Sequence, residues 1–148
     1  MDKDEFFLKV AHALSGCQLV EQQLKLYITE ALALVEKCVE GKMSFRISGE
    51  DYEDSSLERL IGTFRKLSDN EQLITDLNKF KDERNFLTHK GITHCLDWDE
   101  EMFDSAVTNF ESRLADIQKE AKRLREAIHL ESHKFIGHLY FENVEKSG

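Results

Sequence analysis

The spacing of apolar residues over the first forty positions constrains the fold of this chain more than any other feature of its sequence. Apolar side chains recur there with alternating steps of four and three residues, as in a helix that buries one long seam against other helices. The pattern predicts a helix from about Asp4 to Glu40, with Gly41 at the position where helices commonly end. One slot of the seam holds a carboxylate, Glu21. The apolar slots are Val10, Leu14, Cys17, Leu24, Ile28, Ala31, Val35 and Cys38.

Residues 41–54 have a different pattern, in which glycine and serine interrupt a short alternation of apolar and polar residues. This composition is typical of an irregular loop or a short hairpin. Ser55 or Ser56 is then placed to cap a second helix that runs to about Leu67. The residues of this helix that we expect to face the core are Leu57, Leu60, Ile61 and Phe64.

Two further helices follow a break at residues 68–70. Asp69 or Asn70 is placed to cap the third helix, and Gly91 is placed to end it. Its seam consists of Leu73, Leu77, Phe80 and Leu87, with Arg84 in the slot that is not apolar. An acidic connector precedes a fourth helix, whose stripe consists of Phe103, Val107, Phe110, Leu114, Ile117, Ala121, Leu124 and Ile128. The apolar residues 135–141 predict a short fifth helix, a strand or a surface that docks on a partner.

Amphipathic helices with mostly short connections predict an all-α fold, an antiparallel bundle of four to five helices. The chain has 148 residues and no proline, which agrees because proline interrupts helices. This length favours a single domain over residues 1–148, with the core at about 4–132 and a tail at 133–148.

Charge and cysteine content narrow the class of protein further. The chain carries 20 Lys and Arg against 29 Asp and Glu, a net charge of −9, which argues against a protein that coats nucleic acid by charge. Its three cysteines form no CxxC pair, so we expect reduced thiols, a cytoplasmic location, no metal site and no cofactor. The charged start of the chain argues against a signal peptide, and no apolar segment reaches the roughly 18 residues of a membrane span.

Glu21 and Arg84 are charged residues in seam positions that are otherwise apolar. An isolated buried charge is costly, so residues of this kind are usually paired or face a cleft. One interpretation is a structural ion pair between them that holds the first and third helices in register. The other treats Arg84 as part of a functional group formed with its neighbours in sequence.

Arg84, Asn85 and His89 lie in the last turns of the predicted third helix. Asn85 and His89 are four residues apart and therefore share a helix face, and the long Arg84 side chain can reach across the helix end. Imidazole titrates near neutral pH, and guanidinium binds phosphate through paired hydrogen bonds. This set therefore suits phosphodiester chemistry, in which His89 moves protons, Arg84 holds the phosphate and Asn85 orients His89 or the sugar.

The segment 84–89, Arg-Asn-Phe-Leu-Thr-His, resembles the motif of the HEPN superfamily, an arginine followed directly by a polar residue and five positions later by a histidine. Residues 57–62 and 16–24 also resemble the second and first helices of that superfamily, so the likeness covers roughly residues 10–130. The resemblance implies a helical bundle that forms a homodimer, with two motif helices around one cleft. It also implies a metal-independent endoribonuclease, in which Arg84 and His89 are catalytic and Asn85 supports them. Such proteins often serve as toxins or in phage defence, which implies a separate antitoxin or regulatory partner.

A non-catalytic, dimeric module of the same fold, which binds a protein or nucleotide partner, is the alternative hypothesis. In that case Glu21 and Arg84 form a structural pair, and the acidic connector or the apolar tail meets a partner. The local charge is compatible with RNA as a substrate, since residues 79–90 and 119–134 each carry a net charge of +2. The first segment contains four basic and two acidic residues, and the second contains five basic and three acidic residues.

Two pairs of residues and one tryptophan are lesser candidates for chemistry. Adjacent ligands seldom chelate one zinc ion, so His94 and Cys95 are interpreted as loop residues. His129 and His133 are four apart on the fourth helix and form a two-ligand metal pair at most; such positions are more often simply exposed. Trp98 is interpreted as a hydrophobic anchor for the acidic connector rather than as a base-stacking residue.

Overall fold

Four helices make up most of the chain, as the sequence predicts. The computed structural model describes residues 3–91 and 100–140, and the side chains of residues 3–89 and 110–140. The helices are α1 (Lys3–Val39), α2 (Leu57–Leu67), α3 (Glu71–Phe86) and α4 (Glu100–Tyr140). A π-helical turn, Leu87–Gly91, extends α3. The all-α bundle is therefore confirmed, and the described residues contain no strand.

Local capping residues set the ends of the first three helices. The Ser56 hydroxyl accepts a hydrogen bond from the Arg59 amide at 3.2 Å, and the Asn70 side chain accepts one from the Leu73 amide at 3.1 Å. Each bond satisfies an amide of the first turn that has no partner within its helix. Gly41 adopts a φ of 79° just after α1, a conformation that glycine accepts without steric cost. All three of these positions are predicted from the sequence.

The segment between α1 and α2 contains a short 3₁₀ helix, Gly49–Tyr52, in place of the hairpin that the sequence allows. The Ser48 amide donates to the Asp51 carboxylate at 3.0 Å, which closes the start of this turn. Gly49 lies so close to α1 that a Cβ atom there would overlap the Thr29 hydroxyl. The hairpin alternative is wrong because this segment packs against α1 and not against a neighbouring strand.

The buried side of α1 differs in part from the predicted seam. Both contain Val10, Cys17, Leu24, Ile28 and Ala31. The structure also buries Phe6, Ala13, Val20, Tyr27 and Leu32, whereas Leu14 is half-buried and Val35 and Cys38 are exposed. Glu21 therefore lies at the edge of the buried stripe and not in its middle.

The other predicted core residues lie in the core wherever their side chains are described. All four predicted positions of α2 are buried, and the four apolar positions predicted for α3 and its extension are joined there by Ile74. From α4 the buried apolar residues are Phe110, Leu114, Ile117, Ala121, Leu124 and Ile128. Phe103 and Val107 lie outside the side chains that the structure describes.

Helix α4 continues to Tyr140, so residues 135–140 are its last turns and do not form a separate fifth helix or strand. Phe135 packs edge-on against Tyr27 of α1, with the ring centroids 5.1 Å apart. The Lys37 ammonium donates to the carbonyls of His138 and Leu139 at 2.8 and 3.2 Å. These contacts attach the end of α4 to α1, and the remaining residues of the predicted tail, 141–148, lie outside the described ranges.

Helices α1 and α4 run parallel to each other, although short connections predict antiparallel neighbours. Contacts between them advance together along both helices: Lys9 meets Glu111, Gly16 meets Ala121, and Tyr27 meets Phe135. Helix α3 runs against both, since its start contacts Glu131 and its end contacts Arg113. The parallel pair is possible because α2 and α3 lie between the long helices in sequence and return the chain to its starting end. Within the described residues, no helical stretch has the length and hydropathy that a bilayer crossing requires.

Candidate functional site

The three motif residues lie where α3 passes into the π-helical turn. Asn85 and His89 are exposed, and Arg84 is partly exposed. A π-turn uses more residues per turn than an α-helix, so the angle between Arg84 and His89 is smaller than the roughly 140° of α geometry. The Thr88 hydroxyl donates to the Arg84 carbonyl at 3.0 Å, which satisfies an acceptor near the helix end. The turn thus brings the motif side chains closer to one face than an uninterrupted α-helix does.

Arg84 is paired with Glu21, as the structural interpretation of the seam predicts. Arg84 Nη2 lies 3.7 Å from Glu21 Oε1, and the two side chains are 37% and 17% exposed. This distance is within ion-pair range but longer than a hydrogen bond. Among the described residues, no side chain accepts a hydrogen bond from the Arg84 guanidinium. The pair therefore orients the guanidinium and leaves its donors for other groups.

Cys17 lies in the core beside this pair and is only 1% exposed. Burial raises the pKa of its thiol to about 11, while Arg84 lowers that pKa and Glu21 raises it by smaller amounts. A thiol with so high a pKa stays protonated at neutral pH and is a poor nucleophile. Cys17 is therefore a packing residue of the motif region and not a reactive one.

A second set of contacts, which the sequence does not predict, attaches the motif turn to α4. Arg113 donates two hydrogen bonds to the Glu83 carboxylate, from Nε at 2.7 Å and from Nη2 at 2.9 Å. The Arg113 guanidinium carbon lies 3.3 Å from the centre of the Phe86 ring, and Phe86 stacks on Phe110 with centroids 5.1 Å apart. Bidentate and cation–π contacts of this kind are geometrically specific. Because Glu83 and Phe86 flank the motif residues Arg84 and Asn85, they hold that segment against α4.

A groove of about 990 Å³ lies between α3 and α4, beyond the Glu83–Arg113 contact. Its floor includes Phe80 and Ile117, and five acidic and four basic side chains surround it. Arg123 at its rim is paired with Asp76 at 2.9 Å and with Glu120. The groove therefore has an apolar floor and nearly equal numbers of acidic and basic side chains. This charge distribution does not favour the binding of a phosphate backbone.

The basic residues of α4 do not form one surface. Lys119 and Arg123 line the groove between α3 and α4, while Lys122 and Arg125 line a second groove of about 330 Å³ between α1 and α4. Lys134 pairs with Glu131 at 3.0 Å. The positive charge of residues 119–134 is thus divided among different faces, which weakens this segment as an RNA surface.

Glu131 is a charged residue that the sequence does not single out and that the structure buries, with 6% of it exposed. Its carboxylate accepts hydrogen bonds from Asn70 Nδ2 at 2.7 Å and from the Ser68 hydroxyl at 3.4 Å, and it also pairs with Lys134. Burial, and then the nearby Glu131 carboxylate, raise the pKa of Tyr27. No local pattern reveals the contacts with Asn70 and Ser68, because these residues lie about sixty positions from Glu131 in the chain.

The lesser candidates divide between described and undescribed parts of the chain. His94, Cys95, Trp98 and the acidic connector before α4 lie outside the described residues. His129 and His133 are exposed on α4, and their Nε2 atoms are 3.3 Å apart. Among the side chains of residues 3–89 and 110–140, no group of three or more His, Cys, Asp or Glu is arranged to hold a metal ion.

The candidate site is therefore an exposed imidazole and amide beside a partly exposed guanidinium, supported by α1 through Glu21 and by α4 through Arg113. Its groups can transfer a proton and bind an anion. Comparison with protein-family models, with curated proteins and with solved structures finds no match to this chain.

Proposed function

We propose that this chain is a metal-independent endoribonuclease of the HEPN type that acts as a homodimer. The observation that carries the proposal is the exposure of His89 and of part of Arg84 at a π-helical turn, a feature that is frequent at functional sites. The 3.7 Å distance to Glu21 supports it, because the guanidinium is oriented without being consumed by a hydrogen bond.

In the proposed reaction, a 2′-hydroxyl of the RNA attacks the adjacent phosphorus. His89 accepts the hydroxyl proton, Arg84 stabilises the charge that develops on the phosphoryl oxygens, and Asn85 positions the imidazole or the ribose. The bond to the 5′-oxygen breaks, and that oxygen takes up a proton as it leaves. The products are a 2′,3′-cyclic phosphate and a 5′-hydroxyl, and no step requires a metal ion.

The proposal is tested with the purified chain, RNAs of varied sequence and EDTA in the buffer. We expect cleavage that leaves 2′,3′-cyclic phosphate ends and that fails when the scissile nucleotide is 2′-deoxy. His89→Ala should reduce the rate by about 10²- to 10⁴-fold, the usual contribution of a general acid or base, without lowering the melting temperature. His138→Ala, which changes an exposed histidine near the end of α4, is the matched control and should retain activity. Cleavage no faster than that of His89→Ala, on every RNA, would overturn the proposal.

As such a nuclease, the chain acts as a toxin or a phage-defence component that a separate protein neutralises. Growth of a bacterial host should then stop on expression of the wild type and continue on expression of His89→Ala at the same protein level. Equal growth with both, in a host whose RNA the purified protein cleaves, argues against the toxin role but not against the reaction.

A non-catalytic dimeric module is the second candidate, and a specific surface favours it. Seven residues of α1, spaced by alternating fours and threes, are all exposed on the side away from the core. These residues, which we name the outer seam, are Leu8, His12, Ser15, Leu19, Gln22, Leu26 and Thr29. None is Asp, Glu, Lys or Arg, although such residues make up 33% of the chain. Two copies, each with a charge of −9, would place no like-charged side chains of the seam itself against each other, although Lys122 and Arg125 of α4 border Leu19.

The two candidates place the dimer contact on different sides of α1. Leu19 and Glu21 are two positions apart, so at about 100° per residue they point in nearly opposite directions. If the outer seam pairs the copies, Leu19→Lys with Leu26→Lys should give a monomer in sedimentation experiments. If the dimer forms around the motif cleft, that variant should remain dimeric and active. Leu130→Lys, on an exposed leucine of α4, is the control for added charge.

A further inference from the structure

His129 and His133 form a close pair of imidazoles on the exposed side of α4. They are one helical turn apart, their Nε2 atoms are separated by 3.3 Å, and their rings are inclined at 74° with centroids 4.7 Å apart. At this distance one nitrogen donates a hydrogen bond and the other accepts it, so at least one Nε2 presents a lone pair towards its neighbour. The space between the rings is thus lined by two nitrogen atoms rather than by carbon.

The distance between the nitrogens matches that of two ligands on one metal ion. A tetrahedral zinc ion holds imidazole nitrogens at about 2.0–2.1 Å, which places two such nitrogens about 3.3–3.4 Å apart. Rotation of the rings about this soft side-chain torsion can direct both lone pairs to a common point. The backbone of a regular helix keeps the two residues one turn apart and so preorganises the pair.

We infer that His129 and His133 bind a divalent transition-metal ion of the type that prefers imidazole, such as Cu²⁺, Ni²⁺ or Zn²⁺. Two protein ligands leave the other coordination positions to water, so the ion exchanges readily and affinities follow the order expected for nitrogen ligands, with Cu²⁺ tightest. The site is separate from the motif residues, because His129 is sixteen positions from Arg113, about 24 Å along α4. It is also independent of the proposed nuclease, whose reaction uses no metal.

The experiment is a calorimetric titration of the full-length protein with Ni²⁺ and with Zn²⁺ in a non-coordinating buffer. We expect one ion per chain, and we expect His129→Gln and His133→Gln each to weaken binding by at least about tenfold. His12→Gln, on another exposed histidine, and Cys38→Ser, on an exposed thiol, should bind as the wild type does.

A second measurement separates the loss of a ligand from a loss of fold. Zn²⁺ should raise the melting temperature of the wild type and leave that of His129→Gln unchanged, because binding to the folded state alone stabilises it. Circular dichroism should show the same helicity for both proteins. Wild-type binding that equals that of a variant with both histidines replaced, or that disappears in His12→Gln, would overturn the inference.

Discussion

Two polar clusters at opposite ends of α3 use their charges in different ways. At the start of α3, the Glu131 cluster (Ser68, Asn70, Glu131 and Lys134) surrounds a carboxylate that is 6% exposed and accepts hydrogen bonds as short as 2.7 Å. At its end, the motif cluster (Glu21, Arg84, Asn85 and His89) contains an ion pair of 3.7 Å whose arginine is 37% exposed. The first cluster uses its polar groups to join α4 to the connection between α2 and α3. The second has a longer ion pair, and its side chains are more exposed.

The position of a charged residue in a helical seam does not by itself indicate the role of that residue. Glu21 and Arg84 attract attention in the sequence because they interrupt an apolar pattern, yet they make the looser contact. Glu131 follows a predicted stripe without interrupting it, yet it is the more deeply buried charge. What separates a structural from a functional group here is how fully neighbouring side chains satisfy it.

The largest expected effect on stability is that of Glu131→Ala, which should lower the free energy of unfolding by about 2–4 kcal/mol. The substitution removes a buried acceptor of charge-assisted hydrogen bonds and leaves its partners without it. Urea denaturation measures the change. Glu131→Gln keeps an acceptor for Asn70 and should cost less. A loss no larger than that of Glu21→Ala would contradict the difference between the two clusters.

The next effect concerns Cys17, whose pKa burial raises from the ordinary 9.0 to about 11. A raised pKa means that the folded state favours the neutral thiol, so this contribution is complete below pH 9 and is lost as the pH rises through 11. A shift of about two pKa units corresponds to roughly 3 kcal/mol. Denaturation at several pH values between 8 and 11 should show the loss. If the free energy of unfolding of Cys17→Ala falls with pH as steeply as that of the wild type, the loss of stability belongs to other groups.

Two asparagines, one from each cluster, provide a matched pair of intermediate size. Asn70→Ala removes the cap of α3 and a donor to Glu131, so we expect a loss of about 1–2 kcal/mol in unfolding free energy. Asn85→Ala changes an exposed residue and should alter stability by less than about 0.5 kcal/mol. Equal effects of the two substitutions on the urea midpoint would contradict the expected difference in stability between the two clusters.

We expect Arg84→Ala to affect stability less than Asn70→Ala does. A fully buried Glu21 left without a partner would cost about 3 kcal/mol or more, but Glu21 is 17% exposed and its contact with Arg84 is long. We therefore expect a loss below about 1 kcal/mol, as for a pair near the surface. RNA cleavage should fall sharply in the same variant. A loss of stability near 3 kcal/mol would favour the purely structural interpretation of the pair.

The residues predicted correctly are those whose positions depend on local chemistry. Ser56 and Asn70 cap helices because their side chains accept bonds from amides three residues away, and Gly41 tolerates a positive φ. The buried residues of α2 follow from helical periodicity, as do the described ones of α4. The Glu21–Arg84 contact is also predicted, because opposite charges in apolar seams of neighbouring helices are stabilised by pairing.

The errors arise where burial depends on a distant part of the chain. On α1 the predicted seam and the observed one share a residue every seven positions. Between the shared positions, the structure buries Ala13 and Val20, whereas the predicted seam contains Leu14 and the charged Glu21. Either neighbouring row fits a four-three pattern. The choice between them is made by α4, which packs so closely that a Cβ on Gly16 would lie 3.2 Å from Ala121.

The helices, their caps and the grouping of Arg84, Asn85 and His89 follow from the sequence, because each depends on side chains within a few positions of one another. The parallel arrangement of α1 and α4, the buried side of α1 and the enclosure of Glu131 rather than Glu21 depend on the tertiary structure. So does the attachment of the motif turn to Arg113. These features depend on contacts between residues far apart in the chain, and no local pattern encodes which of several favourable packings the helices adopt.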